Sequence, residues 1–308
     1  MARVKFDPQV FHNALGAGED VLSVADGDTI VTTTVDARGF DAGGVQRQRP
    51  PNPMTGPFHV TGAEPGDGLE IEIVRMTANR GEGWTIGSVA QNVVDPAFVA
   101  DLPERQTALW RLDAEAGRAR LVDPPPALAD WSVPFRPMLG CFGVAPAYGQ
   151  AISTATSGPY GGNMDYRRLG PGSKTLFPVA RPGAGVYLGD GHFVQGDGEI
   201  VGTGIETSFE VEFTVRVRKG LAPHWPRGED ADFLFTIGNA RPLDQALQHA
   251  TTEMLRWLGE DFGLDLISAS HLLGQTVRYD VANVFNPAYS VACRVAKADL
   301  AGFPRRRS

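Results

Sequence analysis

Phe209-Glu210-Val211-Glu212-Phe213-Thr214-Val215-Arg216-Val217 is the stretch that decides the fold. Apolar and polar side chains alternate along its whole length. In an extended chain successive side chains leave opposite faces, so this run is a strand with one core face and one wet face. The same period returns in Leu69, Ile71 and Ile73, which alternate with Glu70 and Glu72. Val21–Val35 holds the β-rich run VADGDTIVTTTV, entered through a Gly-Asp turn.

Turn chemistry separates these runs: Asp26-Gly27-Asp28, Pro65-Gly66-Asp67-Gly68, Gly189-Asp190-Gly191 and Gly196-Asp197-Gly198. Gly (37) and Pro (23) make up about a fifth of the chain and are spread among the apolar alternations. That distribution suits many short strands joined by tight turns and not a disordered linker. Residues 101–130 are less periodic and look like an excursion from the sheet. After Gly238 the period changes. Leu243, Ala246, Leu247, Ala250, Met254, Leu255 and Leu258 follow helical spacing, with Pro242 in the first turn. A shorter helix is expected over Leu266–Leu273 and a final strand near Thr276–Val284. The expectation is a mainly β protein: a jelly-roll-like β-sandwich over 1–220 carrying most of the site, and a smaller C-terminal α+β part over 221–308.

The chain has 308 residues, 42% apolar and 21% charged, which is ordinary for a globular protein with a sizeable core. Its net charge of −8 argues against a nucleic-acid partner. The basic cluster Arg305-Arg306-Arg307 reads as a solvated tail. The start, MARVKFDPQVF, has no apolar signal region, and no apolar run is long enough to cross a membrane. Cys141 and Cys293 suggest neither a disulfide framework nor a metal pair, so a reducing cytoplasm is the default expectation.

Residues 163–206 collect groups that could do chemistry. Asn163 and Asp165 are two apart, as are Asp190 and His192, and Glu206 follows. On a strand, each i, i+2 pair would share a face. Hydrolysis of an unactivated amide needs an activated nucleophile, a stabilised oxyanion and a proton for the leaving amine. A divalent metal can supply the first two, and carboxylates with histidine are suitable ligands. Gly-Asp-Gly is also an ordinary turn, in which the Asp side chain bonds its own backbone. Spacing alone therefore leaves Asp190, His192 and Asp197 open to a purely structural reading.

Six boxes in order resemble the acetamidase/formamidase family. They are Asn52-Pro53-Met54-Thr55-Gly56-Pro57-Phe58, Gly62–Asp67 (GAEPGD), Gly140-Cys141-Phe142-Gly143-Val144-Ala145-Pro146, Gly158–Asp165 (GPYGGNMD), Gly189-Asp190-Gly191-His192, and Gln195–Glu199 leading to Glu206. The resemblance runs over roughly residues 20–290. It implies an amidohydrolase acting on short aliphatic amides, a jelly-roll-type sandwich and a homo-oligomer. It also implies a divalent metal, zinc first and calcium or another ion as alternatives. Carried onto this chain, the metal ligands are Asp165, Asp190 and His192, with Asp36 and Glu206 as further ligands or supports. Glu64 and Glu206 are the acid–base candidates, and Gly161 and Gly162 the oxyanion donors. His59 and Asn163 are candidates for binding substrate. Cys141 and His59 depart from the aliphatic and aromatic residues expected at their positions, which leaves the substrate more open than the reaction. Two other readings stand beside this one: metal-free catalysis by Cys141, Ser157 or Lys174, and a silent binding module using Trp84, Trp110 and Trp131.

Overall fold

The computed structural model describes residues 1–306, so Arg307 of the expected basic tail lies outside the described residues. The deciding stretch forms the strand Phe209–Arg218. Phe209, Val211, Phe213 and Val215 are buried, while Glu210, Glu212 and Arg216 stay partly wet. The strand pairs antiparallel with Gly68–Ala78 on one side and Thr29–Thr33 on the other. Its wet face carries cross-strand ion pairs: Arg75–Glu210 at 2.8 Å, Arg3–Glu212 at 2.9 Å and Arg216–Glu72 at 2.7 Å. Exposed pairs of this kind contribute at most about 1 kcal/mol each, so the dry face holds the sheet in place.

That strand is third in a nine-stranded sheet ordered Arg3–Lys5, Thr29–Thr33, Phe209–Arg218, Gly68–Ala78, Lys174–Pro178, Arg227–Glu229, Phe233–Ala240, Tyr289–Ala296, Arg278–Asn283. Strands from before and after residue 220 lie in this one sheet. A six-stranded sheet is ordered Ser157–Gly158, Gly161–Asn163, Met138–Gly143, Ala184–His192, Met54–Val60, Leu22–Val24. One apolar cluster joins the dry faces of both sheets, with Ile30, Ile71, Phe213 and Val215 from the first and Met54, Phe58, Phe142 and Leu188 from the second. Phe58 and Phe213 meet edge to face at 5.7 Å between ring centroids. Each such buried side chain contributes about 2–3 kcal/mol by leaving water, and this burial fixes the sheets face to face.

The excursion around 101–130 is a small sheet. Glu82–Ile86, Thr107–Asp113, Arg118–Leu121 and Val133–Pro134 pair in a meander, and Trp110, Leu112 and Ala119 pack on Phe193 and Ile205. Helix α1 spans Leu243–Phe262 and lays Ala250, Met254, Trp257 and Leu258 on the nine-stranded sheet. Leu247, expected on that face, lies off it and is exposed. Gly263 ends the helix in the left-handed conformation at φ 67°, which glycine adopts without strain. Helix α2, Leu266–Thr276, runs a turn longer than expected, and Asp265 caps it by accepting from Ser268 N at 2.7 Å. Arg305 is not a free tail residue, since it pairs with Glu229 at 3.0 Å and Asp261 at 3.1 Å. No helix among the described residues is long and apolar enough to cross a membrane.

Candidate active site

The strand Ala184–His192 is buried along its full length between Met138–Gly143 and Met54–Val60. Asp190 and His192 lie at its C-terminal end. They converge, but not through regular strand alternation, because Asp190 takes φ 55°. Among the described residues, six non-glycine residues have positive φ, and four of them surround this point: Asn52, Asp165, Asp190 and Glu199. Such backbone costs on the order of 1 kcal/mol or more per residue and persists where packing enforces it. The four strained residues aim their side chains at one another.

Five ionisable side chains meet there, all buried: Asp165, Asp190, His192, Glu199 and Glu206. Ligand atoms of Asp165, Asp190 and His192 lie within 4.8 Å of one another, as do those of His192, Glu199 and Glu206. His192 Nε2 is 3.0 Å from Glu206 Oε1 and 3.4 Å from Asp190 Oδ1, yet neither contact has hydrogen-bond alignment. Asp165 Oδ1, Glu199 Oε2 and Glu206 Oε2 are likewise buried without a partner.

Neutral donors hold the other atoms. Asn286 Nδ2 donates to Asp165 Oδ2 at 2.6 Å. Asn52 Nδ2 donates to Asp190 Oδ2 and to Asn163 Oδ1, both at 2.8 Å. The Gly204 amide donates to Glu206 Oε1 at 3.0 Å. Asp165 and Glu206 thus each have one oxygen fixed by a neutral N–H and one left bare. Space is as tight as charge. A Cβ on Gly140 would crowd Asp165 Oδ1 and reach 2.8 Å from Asp190 Oδ2, and a Cβ on Gly204 would strike the His192 ring.

Burial pushes the Asp165 carboxyl up to about 7, and the Asp190 charge adds to it. Burial likewise takes Glu206 to about 8 against the pull of His192. Glu199 rises well above the carboxylate range through burial and Asp165. For His192 burial alone would lower the value, but Glu206 and Asp190 together raise it well above the ordinary one. Four buried carboxyls share one imidazole, so they can all ionise only if a further cation enters the pocket. Oxygen donors with one imidazole, several carrying a bare lone pair, fit a divalent metal ion. These buried Asp, His and Glu groups could hold one.

The structure does not bring every expected residue here. The two oxygens of Asp36 already accept four hydrogen bonds, from Arg38 N (3.0 Å), Phe40 N (2.9 Å), the Arg80 guanidinium (2.7 Å) and Trp84 Nε1 (3.1 Å). Trp84 in turn bridges the Glu206 backbone. Glu64 sits on the exposed turn between Met54–Val60 and Gly68–Ala78. His59 lies near the far end of its strand, 3.1 Å from Asp20 Oδ2. Gly161 and Gly162 lie in a strand hydrogen-bonded on both sides, by Ser157–Gly158 and Met138–Gly143, and Asn163 ends that strand beside the cluster. Cys141 is buried and donates to Thr154 O at 3.6 Å. Asp197, read as a turn former, pairs with Arg167. Glu199, Gln195, Asn52 and Asn286 were not singled out as site residues. Asn52, Gln195 and Glu199 lie inside quoted boxes, and nothing in the sequence marks Asn286.

The sequence model of the Acetamidase/Formamidase family matches residues 49–150 and 148–247. An acetamidase of Mycolicibacterium smegmatis is 26% identical over 240 residues, covering 62% of this chain and 59% of its own. The chain spans less than two thirds of the length of the curated relatives it matches. A crystal structure of a predicted acetamidase/formamidase from Thermoanaerobacter tengcongensis is similar with a TM-score of 0.85 and 25% identity, covering 98% of both chains. A crystal structure of acetamidase from Yersinia enterocolitica is similar with a TM-score of 0.82 and 29% identity, covering 97% of this chain and 93% of its own.

Proposed function

We propose that this chain, which belongs to the acetamidase/formamidase family, hydrolyses a short linear amide to a carboxylate and ammonia with a divalent metal held by Asp165, Asp190 and His192. The observation that carries the reading is the convergence of five buried ionisable side chains, four of which present an atom without a hydrogen-bond partner. A purely structural cluster of this charge would be costly, because unpaired buried carboxylates destabilise a fold. Zinc is the first choice for the ion, and other divalent ions accept the same donors. When bound, such an ion acidifies water and polarises a carbonyl.

The chain's own groups do the rest. Asn286 and Asn52 hold one oxygen of Asp165 and of Asp190 without neutralising either carboxylate. Glu206 is our proton carrier. Its Oε1 is fixed by the Gly204 amide, and its bare Oε2 can take a proton from the attacking water and return it to the departing nitrogen. Glu199 completes the acidic wall opposite Asp165. Asp36 stands behind, orienting Trp84 and so the Glu206 backbone. Asn163 adjoins Asp190 through Asn52 and is our candidate contact for the substrate amide. Glu64, His59, Gly161 and Gly162 have no part in this proposal. We read the facing sheets as a jelly-roll-type sandwich, and a homo-oligomer in a reducing compartment is the expected state.

An ammonia-release assay over a panel of short amides, run together with metal analysis, tests the proposal. Asp190→Ala and His192→Ala should lose both metal and turnover while remaining folded. Either variant retaining full turnover without metal refutes it.

A further inference from the structure

We infer that Gln195 is a positioning residue that sets the tautomer of His192, so that Nδ1 always carries a proton and Nε2 alone faces the acidic pocket. For its consequence on metal affinity, though not for the tautomer itself, the inference rests on the proposed metal centre.

The far end of the glutamine fixes its orientation. Its Nε2 lies 2.6 Å from Asp165 O and 3.3 Å from Ala282 O. Both partners are backbone carbonyls, which accept hydrogen bonds and cannot donate them. An amide turned the other way would set oxygen against two oxygens in a buried site. It would also leave those carbonyls unsatisfied, at about 1–3 kcal/mol each. The nitrogen must therefore face the carbonyls, and Oε1 must face His192 Nδ1, 2.8 Å away. An amide oxygen cannot donate either. Nδ1 is then obliged to be the donor, and the only ring nitrogen free to change its proton or its partner is Nε2.

The consequence reaches both ends of the pocket. Gln195 joins the backbone of Asp165 to the ring of His192, so one side chain fixes two of the three proposed ligands. Its second acceptor, Ala282 O, belongs to the strand Arg278–Asn283, which ties the C-terminal part of the chain to the site. A glutamine that merely filled space would leave the histidine to choose its tautomer. The energetic preference for Nδ1–H comes from the two carbonyls that face the far end of the amide.

The test uses the 308-residue chain labelled with nitrogen-15 in its six histidines. Long-range proton–nitrogen correlation spectra report which ring nitrogen of His192 is protonated. Zinc is the probe ion, with affinity measured by competition against a chromophoric chelator. Gln195→Glu keeps an acceptor opposite Nδ1 provided its other oxygen carries a proton toward Asp165 O, and Gln195→Met removes the acceptor at similar length. The expected result is a protonated Nδ1 with no proton on Nε2 in wild type and in Gln195→Glu, with zinc bound or at an alkaline pH where the ring is neutral. In Gln195→Met zinc affinity should fall about 10–100-fold and the ring should show mixed tautomers. An unprotonated Nδ1 in wild type overturns the inference, as does unchanged zinc affinity with an unchanged tautomer in folded Gln195→Met. A wild type that ignores zinc but keeps Nδ1 protonated overturns the metal centre and leaves the tautomer assignment standing. If Gln195→Met does not fold, the wild-type and Gln195→Glu spectra still decide the point.

Discussion

Asp165→Asn should stabilise the metal-free protein at alkaline pH while destroying its capacity for metal. Asp165 is fully buried with one oxygen unpartnered, and burial displaces its carboxyl from 3.8 to about 7. The folded chain therefore holds a proton that the unfolded chain releases between those values. The sign follows from linkage. A raised value contributes stability that is complete below the unfolded value and is lost as pH climbs through the folded one. At about 1.4 kcal/mol per pH unit, wild type forfeits on the order of 4 kcal/mol by pH 8, about 2 of them between pH 5.5 and 7.5. Asparagine cannot ionise, and its carbonyl can still accept from Asn286. The variant should escape this loss and melt roughly 8 °C above metal-free wild type at pH 8, with the gap narrowing toward pH 5.5. Calorimetric melting in chelator over that pH range measures the effect. Excess zinc should then close the gap at pH 8 and reverse the order toward pH 5.5, because an ion at a thousandfold over its Kd stabilises only the protein that binds it, by about 4 kcal/mol. A metal-free variant that melts below wild type at pH 8, or a gap that does not change with pH, refutes the reasoning.

Gly140→Ala should lower zinc affinity by about tenfold or more, because its Cβ would crowd the facing oxygens of Asp165 and Asp190; chelator competition measures this. Cys141→Ala should leave ammonia release unchanged and cost about 1–2 kcal/mol in urea unfolding, since the thiol is a buried packing group. Glu64→Gln should leave both kcat and KM unchanged, because the side chain sits on an exposed turn; a large loss of kcat would return Glu64 to the chemistry.

The sheet was legible where one face is wet. Phe209–Val217 and Leu69–Ile73 carry the alternation that half-burial imposes. Tyr289–Ala296 does not. It is buried on both faces, so its Ser, Val, Ala and Cys show no period, and the strand went unseen. The meander at 107–134 was hidden because its strands are short and rich in arginine. In the site, Asp165, Asp190, His192 and Glu206 were visible through glycine-rich boxes that resemble a family pattern. Their convergence depends instead on left-handed backbone at Asp165, Asp190 and Glu199, which residue type does not announce. The carboxamides of Asn52 and Gln195 lie inside quoted boxes and Asn286 in none, and no site role could be read for any of them for a different reason. Asn52, Asn286 and the far end of Gln195 work through partners many residues away in sequence, and an amide in a loop carries no spacing of its own.

The most direct measurement follows metal content and ammonia release together through one cycle of chelation and metal return, using formamide and acetamide as substrates. Turnover should disappear as the metal leaves and come back in proportion to the metal restored, in a protein that stays folded throughout. Full turnover in a sample verified to be free of metal would contradict it.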